Sequence, residues 1–77
     1  MAERLPRVTA ADLIAALRRG GWEVLRQRDS HVRLGHPERL GRGVTVSVHA
    51  REIVKPGTLS SVLDQAGLTV EELIALL

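Results

Sequence analysis

The sequence contains no cysteine, which excludes disulfide bridges, thiolate zinc sites and a cysteine nucleophile. Its single aromatic residue is Trp22, so a hydrophobic core must be built from leucine, valine, isoleucine and alanine. No apolar run reaches the ~18 residues of a membrane span or has the pattern of a signal peptide. We therefore expect a cytoplasmic protein that has no membrane among its partners.

Length and charge narrow the function classes further. The 77 residues suffice for one small domain, residues 1–77, and leave no room for a separate cofactor-binding domain. Residues 1–55 hold all 11 lysines and arginines and six of the nine acids, whereas residues 56–77 hold three acids and no base. Any contact with nucleic acid is therefore expected in the first 55 residues.

A first helix is predicted near the N-terminus. Thr9 and Asp12 have the spacing of a capping box, in which a threonine side chain accepts a backbone N–H three residues further on. Apolar residues then recur at helical spacing until Gly20. These signals together predict a helix over residues 10–19.

Three strands are predicted next. β-forming residues follow Trp22, and Val32 and Leu34 then alternate with polar residues. A loop rich in glycine and proline, residues 35–43, leads to three more alternating valines. We expect Trp22 to anchor the core and His36, within the loop, to be exposed to solvent.

Two further helices are predicted after the strands. Apolar residues at helical spacing predict a helix over residues 59–66, with Thr58 as its N-cap and Gly67 at its end. Thr69 and Glu72 form a second capping-box pattern, which predicts a short final helix. The fold class is therefore α+β: a helix, a three-stranded antiparallel sheet, a helix and a short helix, with the helices on one sheet face.

The alternation also predicts which strand residues face solvent. The side chains that period-two alternation places on the exposed sheet face are those of His31, Arg33, Thr45, Ser47 and His49. Two registers keep the valines inward: one sets His31 opposite His49, and the other sets it opposite Ser47. In both registers, His31 and His49 are expected to lie near each other.

This set of side chains suits the cleavage of RNA. A histidine exchanges a proton near neutral pH, so it can deprotonate a 2′-hydroxyl or protonate the leaving 5′ oxygen. Arginines can hold the phosphate, and the chemistry needs neither a metal nor a cofactor. Because the spacing of the three histidines matches no common zinc pattern, we predict no metal site. The opposing interpretation is that outward histidines on a sheet are ordinary surface residues.

Five short motifs occur in an order and spacing that are specific together, although each motif is weak alone. They are Gly21–Trp22, Arg26 to His31, Val46 to His49, Pro56 to Leu59 and Gln65 to Leu68. Together they resemble the HicA toxins, also called YcfA-like proteins, over nearly the whole chain from Thr9 on.

The resemblance implies a fold similar to the double-stranded-RNA-binding domain, and a toxin that cleaves mRNA and is neutralised by a HicB-like antitoxin. The family's catalytic histidine lies in a Gly-Ser-His motif at the start of strand two, which corresponds to His31. The second helix begins with only Lys55 before it, whereas duplex-binding domains have a lysine-rich helix start, so single-stranded mRNA is the expected substrate. The candidate contacts to RNA phosphates are Arg28, Ser30, Arg33, His49 and Lys55.

The chain departs from the family pattern at two positions. Asp29 stands where the motif has glycine, and Ser47 stands where the family often has proline. Aspartate adopts a positive φ more readily than most residues, so the turn should form, but its carboxylate would repel a phosphate. The alternative function is therefore a catalytically weak or inactive module that binds RNA or the antitoxin. A third interpretation, a purely structural interaction protein, requires the basic exposed face to be accidental.

Overall fold

The computed structural model of the chain describes residues 4–49 and 52–77. The three strands form one antiparallel sheet in the order β1-β2-β3. This architecture confirms the predicted α+β class. It is similar to the fold of the double-stranded-RNA-binding domain. In these two ranges, no helix has the length and apolar character needed to cross a membrane. The elements are α1 (Ala10–Arg19), β1 (Glu23–Arg28), β2 (His31–Gly35), β3 (Gly43–Ser47), α2 (Pro56–Ala66) and α3 (Val70–Leu76).

The helices pack on one face of the sheet around a continuous apolar core. Trp22 is only 3% exposed, which confirms its predicted role as a core anchor. Burial of a large aliphatic side chain contributes ~1.5–3 kcal/mol, so this inward face supplies most of the favourable free energy of folding. The largest buried side chains are Val8, Leu13, Leu17, Trp22, Val32, Leu34, Val44, Val46, Leu59, Val62, Leu63 and Leu73.

The first and third helices begin at the predicted caps. Thr9 Oγ1 accepts the Asp12 N–H at 3.1 Å, and Thr69 and Glu72 form a reciprocal capping box with bonds of 3.0 and 3.1 Å. Hydrogen bonds from the Thr69 backbone and side chain lower the pKa of the Glu72 carboxyl. Since this pKa is lower in the folded state, the carboxylate stabilises the protein above its unfolded pKa, and that contribution is lost as pH falls through the folded pKa.

The second helix begins three residues earlier than predicted. Lys55, not Thr58, is its N-cap, and Pro56 is its first residue. Proline suits that position because its fixed φ is helical. The N–H that proline lacks would have no hydrogen-bond partner within the helix at its first position. The predicted end is confirmed, since Gly67 adopts a left-handed conformation with φ 69°.

The register of the sheet agrees with one of the two predicted alternatives. His31 pairs with Ser47, and Val32 pairs with Val46. The third strand ends at Ser47, although the Val48 N–H still donates to the Ser30 carbonyl at 2.6 Å. Val32 and Val46 therefore point into the core as expected, and Val48 packs at its margin.

The prediction that His36 is simply exposed to solvent was wrong. Its ring is half-buried and lies edge-to-face with Trp22, with 5.3 Å between the ring centroids. Nδ1 accepts the Glu38 N–H at 3.1 Å, so the proton is on Nε2, which lies 3.0 Å from the Gly20 carbonyl oxygen. His36 thus joins the loop after β2 to the end of α1.

We expect Leu63→Asp to unfold the protein, because Leu63 is 5% exposed and a carboxylate there costs several kcal/mol. A core of this size supplies only ~3–5 kcal/mol of net stability. Ser60→Asp is the matched control, since Ser60 is exposed on the same helix. Thermal melts followed by circular dichroism should show a cooperative transition for Ser60→Asp alone. A cooperative melt of Leu63→Asp near the wild-type temperature would contradict the assignment of the inward face.

Candidate functional site

The sheet face opposite the helices presents a dense set of polar and basic side chains. Directly paired residues on neighbouring strands point to the same face, so the pairing assigns each side chain to a face. We call this surface the open face. It consists of two adjacent rows across β1, β2 and β3, with Arg28, His31 and Ser47 in one row and Arg26, Arg33 and Thr45 in the other.

His31 occupies the middle of its row. It is the first residue of β2, its side chain is exposed, and its backbone is paired on both sides, with Arg28 and with Ser47. The imidazole is therefore open to solvent while the backbone beneath it is held by the central strand. This combination presents a proton-transfer group at a fixed position on an otherwise flat surface.

The turn that precedes His31 forms as predicted. Asp29 adopts φ 55°, and it is the one non-glycine residue with a positive φ in the part of the chain that the structure describes. Aspartate tolerates this conformation better than most residues, which explains why the hairpin closes without glycine. The turn also sets the Asp29 carboxylate two residues before the histidine.

Arg33 is fixed in position on the open face. Its Nη1 donates to Thr45 Oγ1 at 3.1 Å, and the guanidinium crosses the backbone of Gly43, where any Cβ would collide with it. A guanidinium has five N–H donors, so this single hydrogen bond leaves several for a phosphate. The contact with Thr45 therefore orients Arg33 without consuming its binding capacity.

Arg26 is an open-face residue that the sequence analysis did not identify. The pairing skips Leu25, because Val24 lies opposite Leu34 and Arg26 lies opposite Arg33. This bulge reverses the alternation in β1 and turns Arg26 toward the side of Arg33. The sequence feature that indicates such a bulge is the pair of consecutive apolar residues, Val24 and Leu25, directly before a charged residue.

His49 and Lys55 lie beside the open face rather than on it. Both line a small cavity of about 140 Å³ beyond β3, together with Ser47 and Thr58. Since Ser47 also pairs with His31, it connects this cavity to the catalytic candidate. The structure therefore places His49 next to the row of His31 and not directly opposite it.

Ser30 has a different position from the other candidates. It is the second residue of the turn, it is half-buried, and its carbonyl accepts the Val48 N–H. Its backbone thus helps to hold β3 against β2. Its side chain is a candidate contact to phosphate only because Ser30 directly precedes His31 in the sequence.

The electrostatics of the open face favour an anionic ligand. The two rows contain three arginines and no acid. Glu23, which pairs with Gly35, lies on the same face one row further along, and Asp29 lies in the turn beside Arg28. Within residues 4–49 and 52–77, no group of three or more histidine, aspartate or glutamate side chains is placed to hold a metal ion. The arrangement can therefore bind a phosphate chain through arginines and move a proton through an imidazole.

Comparison with known proteins bears on this arrangement. No curated protein gives a significant match to the chain. A family model described as the HicA toxin of bacterial toxin-antitoxin systems matches residues 10–68, which include α1, the whole sheet and α2. The match covers well over half of the sequence and both rows of the open face. The chain thus belongs to the HicA toxin family of bacterial toxin-antitoxin systems.

Proposed function

We propose that this toxin is a metal-independent endoribonuclease that cleaves mRNA, with His31 as its general acid or base. The observation that supports this most directly is the exposed imidazole at the centre of a row on the open face, with arginines on β1 and β2 beside it. Membership of a toxin family gives this surface a biological use, since cleavage of mRNA arrests growth.

The reaction uses the RNA's own nucleophile. The imidazole of His31 removes the proton of a 2′-hydroxyl, O2′ attacks the adjacent phosphorus, and the bond to the 5′ oxygen breaks. The departing 5′ oxygen takes up a proton from water and becomes a 5′ hydroxyl, a 2′,3′-cyclic phosphate remains on the other fragment, and the imidazolium returns its proton to solvent. A positioned acid or base contributes ~10²- to 10⁴-fold to such a rate. Arg28 and Arg33 bind the phosphate oxygens and stabilise the charge that develops on them.

The substrate is single-stranded mRNA lying along the open face. Duplex-binding domains of similar fold contact phosphates with a lysine-rich helix start, whereas α2 begins with Pro56 and has only Lys55 before it. A flat, exposed sheet accepts an extended strand more readily than a duplex. Ser30, His49 and Lys55 are the additional candidates for phosphate contacts at the end of the row of His31.

The partner that controls the toxin is a HicB-like antitoxin that covers the open face. Because this face contains three arginines, the antitoxin surface that covers it is acidic.

Residues 1–77 act as one domain in the cytoplasm, where the mRNA is found. No cofactor takes part.

A second candidate function is a catalytically weak or inactive module that binds RNA or the antitoxin. The observation that favours it is Asp29, because a carboxylate in the turn before His31 repels an approaching phosphate. The two candidates differ in a simple respect. An active toxin arrests growth when it is induced without antitoxin, whereas an inactive module does not.

We expect His31→Ala to abolish growth arrest and RNA cleavage while leaving the fold intact, because an exposed side chain contributes little to the core. Cleavage by the purified protein should fall by at least ~10²-fold on a labelled single-stranded RNA. Growth arrest at the wild-type level by a folded His31→Ala protein would reject the assignment.

Two controls in the same assay examine the chemistry. Cleavage should persist in EDTA, because no metal ion takes part in the proposed reaction. It should stop at a position where the RNA carries a single 2′-deoxy nucleotide, because the nucleophile is then missing. Loss of activity on chelation, or cleavage of the 2′-deoxy substrate, would contradict the mechanism.

Asp29→Asn separates the charge of the turn residue from its conformation. Asparagine tolerates positive φ as well as aspartate does, so the melting temperature should stay near that of the wild type. Removal of the carboxylate should raise RNA affinity several-fold at low salt, with a smaller gain at high salt. Asp29→Ala is the comparison for conformation, since alanine at this φ costs ~1 kcal/mol. Equal RNA affinities for Asp29→Asn and the wild type would show that the carboxylate does not affect substrate binding.

A further inference from the structure

A groove at one end of the open face shares only Arg33 with the residues of the proposed reaction. It has a volume of about 330 Å³ and lies between the bulge of β1 and the loop that joins β2 to β3. The groove is four residues along β2 from His31, which corresponds to ~13 Å in a strand. The lining residues that matter here are Leu25, Leu40, Arg33, Arg39, Arg42 and Glu23.

Two glycines lie beneath the floor of the groove. Gly35 and Gly43 lie opposite each other on β2 and β3, so two neighbouring positions have no side chain. A Cβ at Gly35 would lie 2.7 Å from Leu25 Cδ1, and a Cβ at Gly43 would collide with the Arg33 guanidinium. The glycines thus allow Leu25 and Arg33 to lie flat and to shape the groove.

The apolar side chains of the groove are unusually accessible. Leu40 is 89% exposed and Leu25 is 65% exposed, which makes them the two most exposed large apolar side chains in the ranges that the structure describes. Single exposed leucines are common on protein surfaces, but here both line the same concave site. This concentration is typical of a surface that a partner covers.

Three arginines surround these leucines in fixed positions. Arg39 donates from Nη1 to the Ala66 carbonyl at 2.9 Å, and Arg42 donates from Nη1 to the carbonyls of Asp64 and Gln65 at 3.3 and 3.2 Å. Arg33 is held by Thr45, as described above. Because these hydrogen bonds order the arginines before any ligand arrives, little side-chain entropy remains to be lost on binding.

The composition of the groove indicates the chemistry of its occupant. Arg33 and the side chains of Arg39 and Arg42, whose guanidiniums also donate to α2 carbonyls, outnumber the single carboxylate of Glu23, so the lining has a positive charge that favours an anionic ligand. The leucines accept an apolar group. RNA bases usually bind by stacking on aromatic side chains. Trp22 is buried in the core, and the His36 ring that lines the groove is packed edge-to-face on Trp22 and bonded at both nitrogens, to the Gly20 carbonyl and the Glu38 N–H. Leucines ringed by arginines are instead typical of a protein interface.

We propose that this groove receives an acidic segment of the antitoxin, which inserts a large apolar side chain between Leu25 and Leu40. The inference rests on the proposed function only in taking the antitoxin as the partner that covers the open face. An antitoxin anchored here covers His31 without bonding to it. Leu25 and Leu40, the proposed anchors, are therefore separable from the residues proposed for catalysis, whereas Arg33 belongs to both sets.

The test compares antitoxin affinities in the His31→Ala background, which removes catalysis from the measurement. The probe is the purified HicB-like antitoxin proposed as the partner, with binding followed by calorimetry. The double variant Leu25→Ala, Leu40→Ala should bind at least about tenfold more weakly than its parent. Ile74→Ala is the matched control, because Ile74 is also an exposed aliphatic residue but lies on α3. Equal affinities for the double variant and its parent would overturn the proposal.

A second arm distinguishes the antitoxin from RNA as the occupant. With His31 restored, the double variant should cleave single-stranded RNA like the wild type, and co-expressed antitoxin should no longer relieve its growth arrest. Loss of RNA cleavage by the folded double variant would assign the groove to RNA and overturn the proposal. If the wild type itself cleaves no RNA, the proposed function fails. The calorimetric affinities still show whether the antitoxin binds in the groove. Leu40→Ala alone guards against misfolding, since its side chain is almost fully exposed.

Discussion

The alternation of buried and exposed side chains along β2 is the constraint on which the rest of the structure depends. Val32 and Leu34 are at most 3% exposed, whereas His31 and Arg33, which alternate with them, are exposed. A shift of the register by one residue would bury both polar side chains and expose both apolar ones. The core and the candidate site are therefore specified by the same five-residue strand, and neither can move without the other.

Local geometry at both ends of β2 holds this register. At its start, Asp29 closes the turn with φ 55°, and at its end Gly35 faces Gly43. The loop between β2 and β3 is attached to α2 by Arg39 and Arg42, which donate to carbonyls at the C-terminus of that helix, where positive charge is favourable. These two arginines account for part of the basic character of the chain without belonging to the open face. Net charge alone therefore overstates the charge available to bind a phosphate chain.

The features that the sequence predicted correctly depend on short-range periodicity, and those that it missed depend on contacts between distant residues. The inward valines and the caps at Thr9 and Thr69 follow from spacing. Spacing also narrowed the register to two alternatives, of which the structure has the one with His31 opposite Ser47. The bulge that turns Arg26 outward does not follow from the sequence, because it interrupts the period-two alternation of the strand. The contact of His36 with Gly20 spans sixteen residues, so a local pattern in the loop gave no sign of it.

The position of His31 on an exposed, flat sheet has a consequence for control of the proposed activity. A catalytic group on a rigid central strand cannot be moved out of position without disturbing the core beneath it, because Val32 and Leu34 belong to the same strand. Inhibition must then come from a partner that covers the open face. Such a partner needs a firm anchor, and polar contacts over arginines are weakened by salt. A preformed apolar groove at the end of the same sheet meets this need, since burial of Leu25 and Leu40 adds a contribution to binding that salt does not screen.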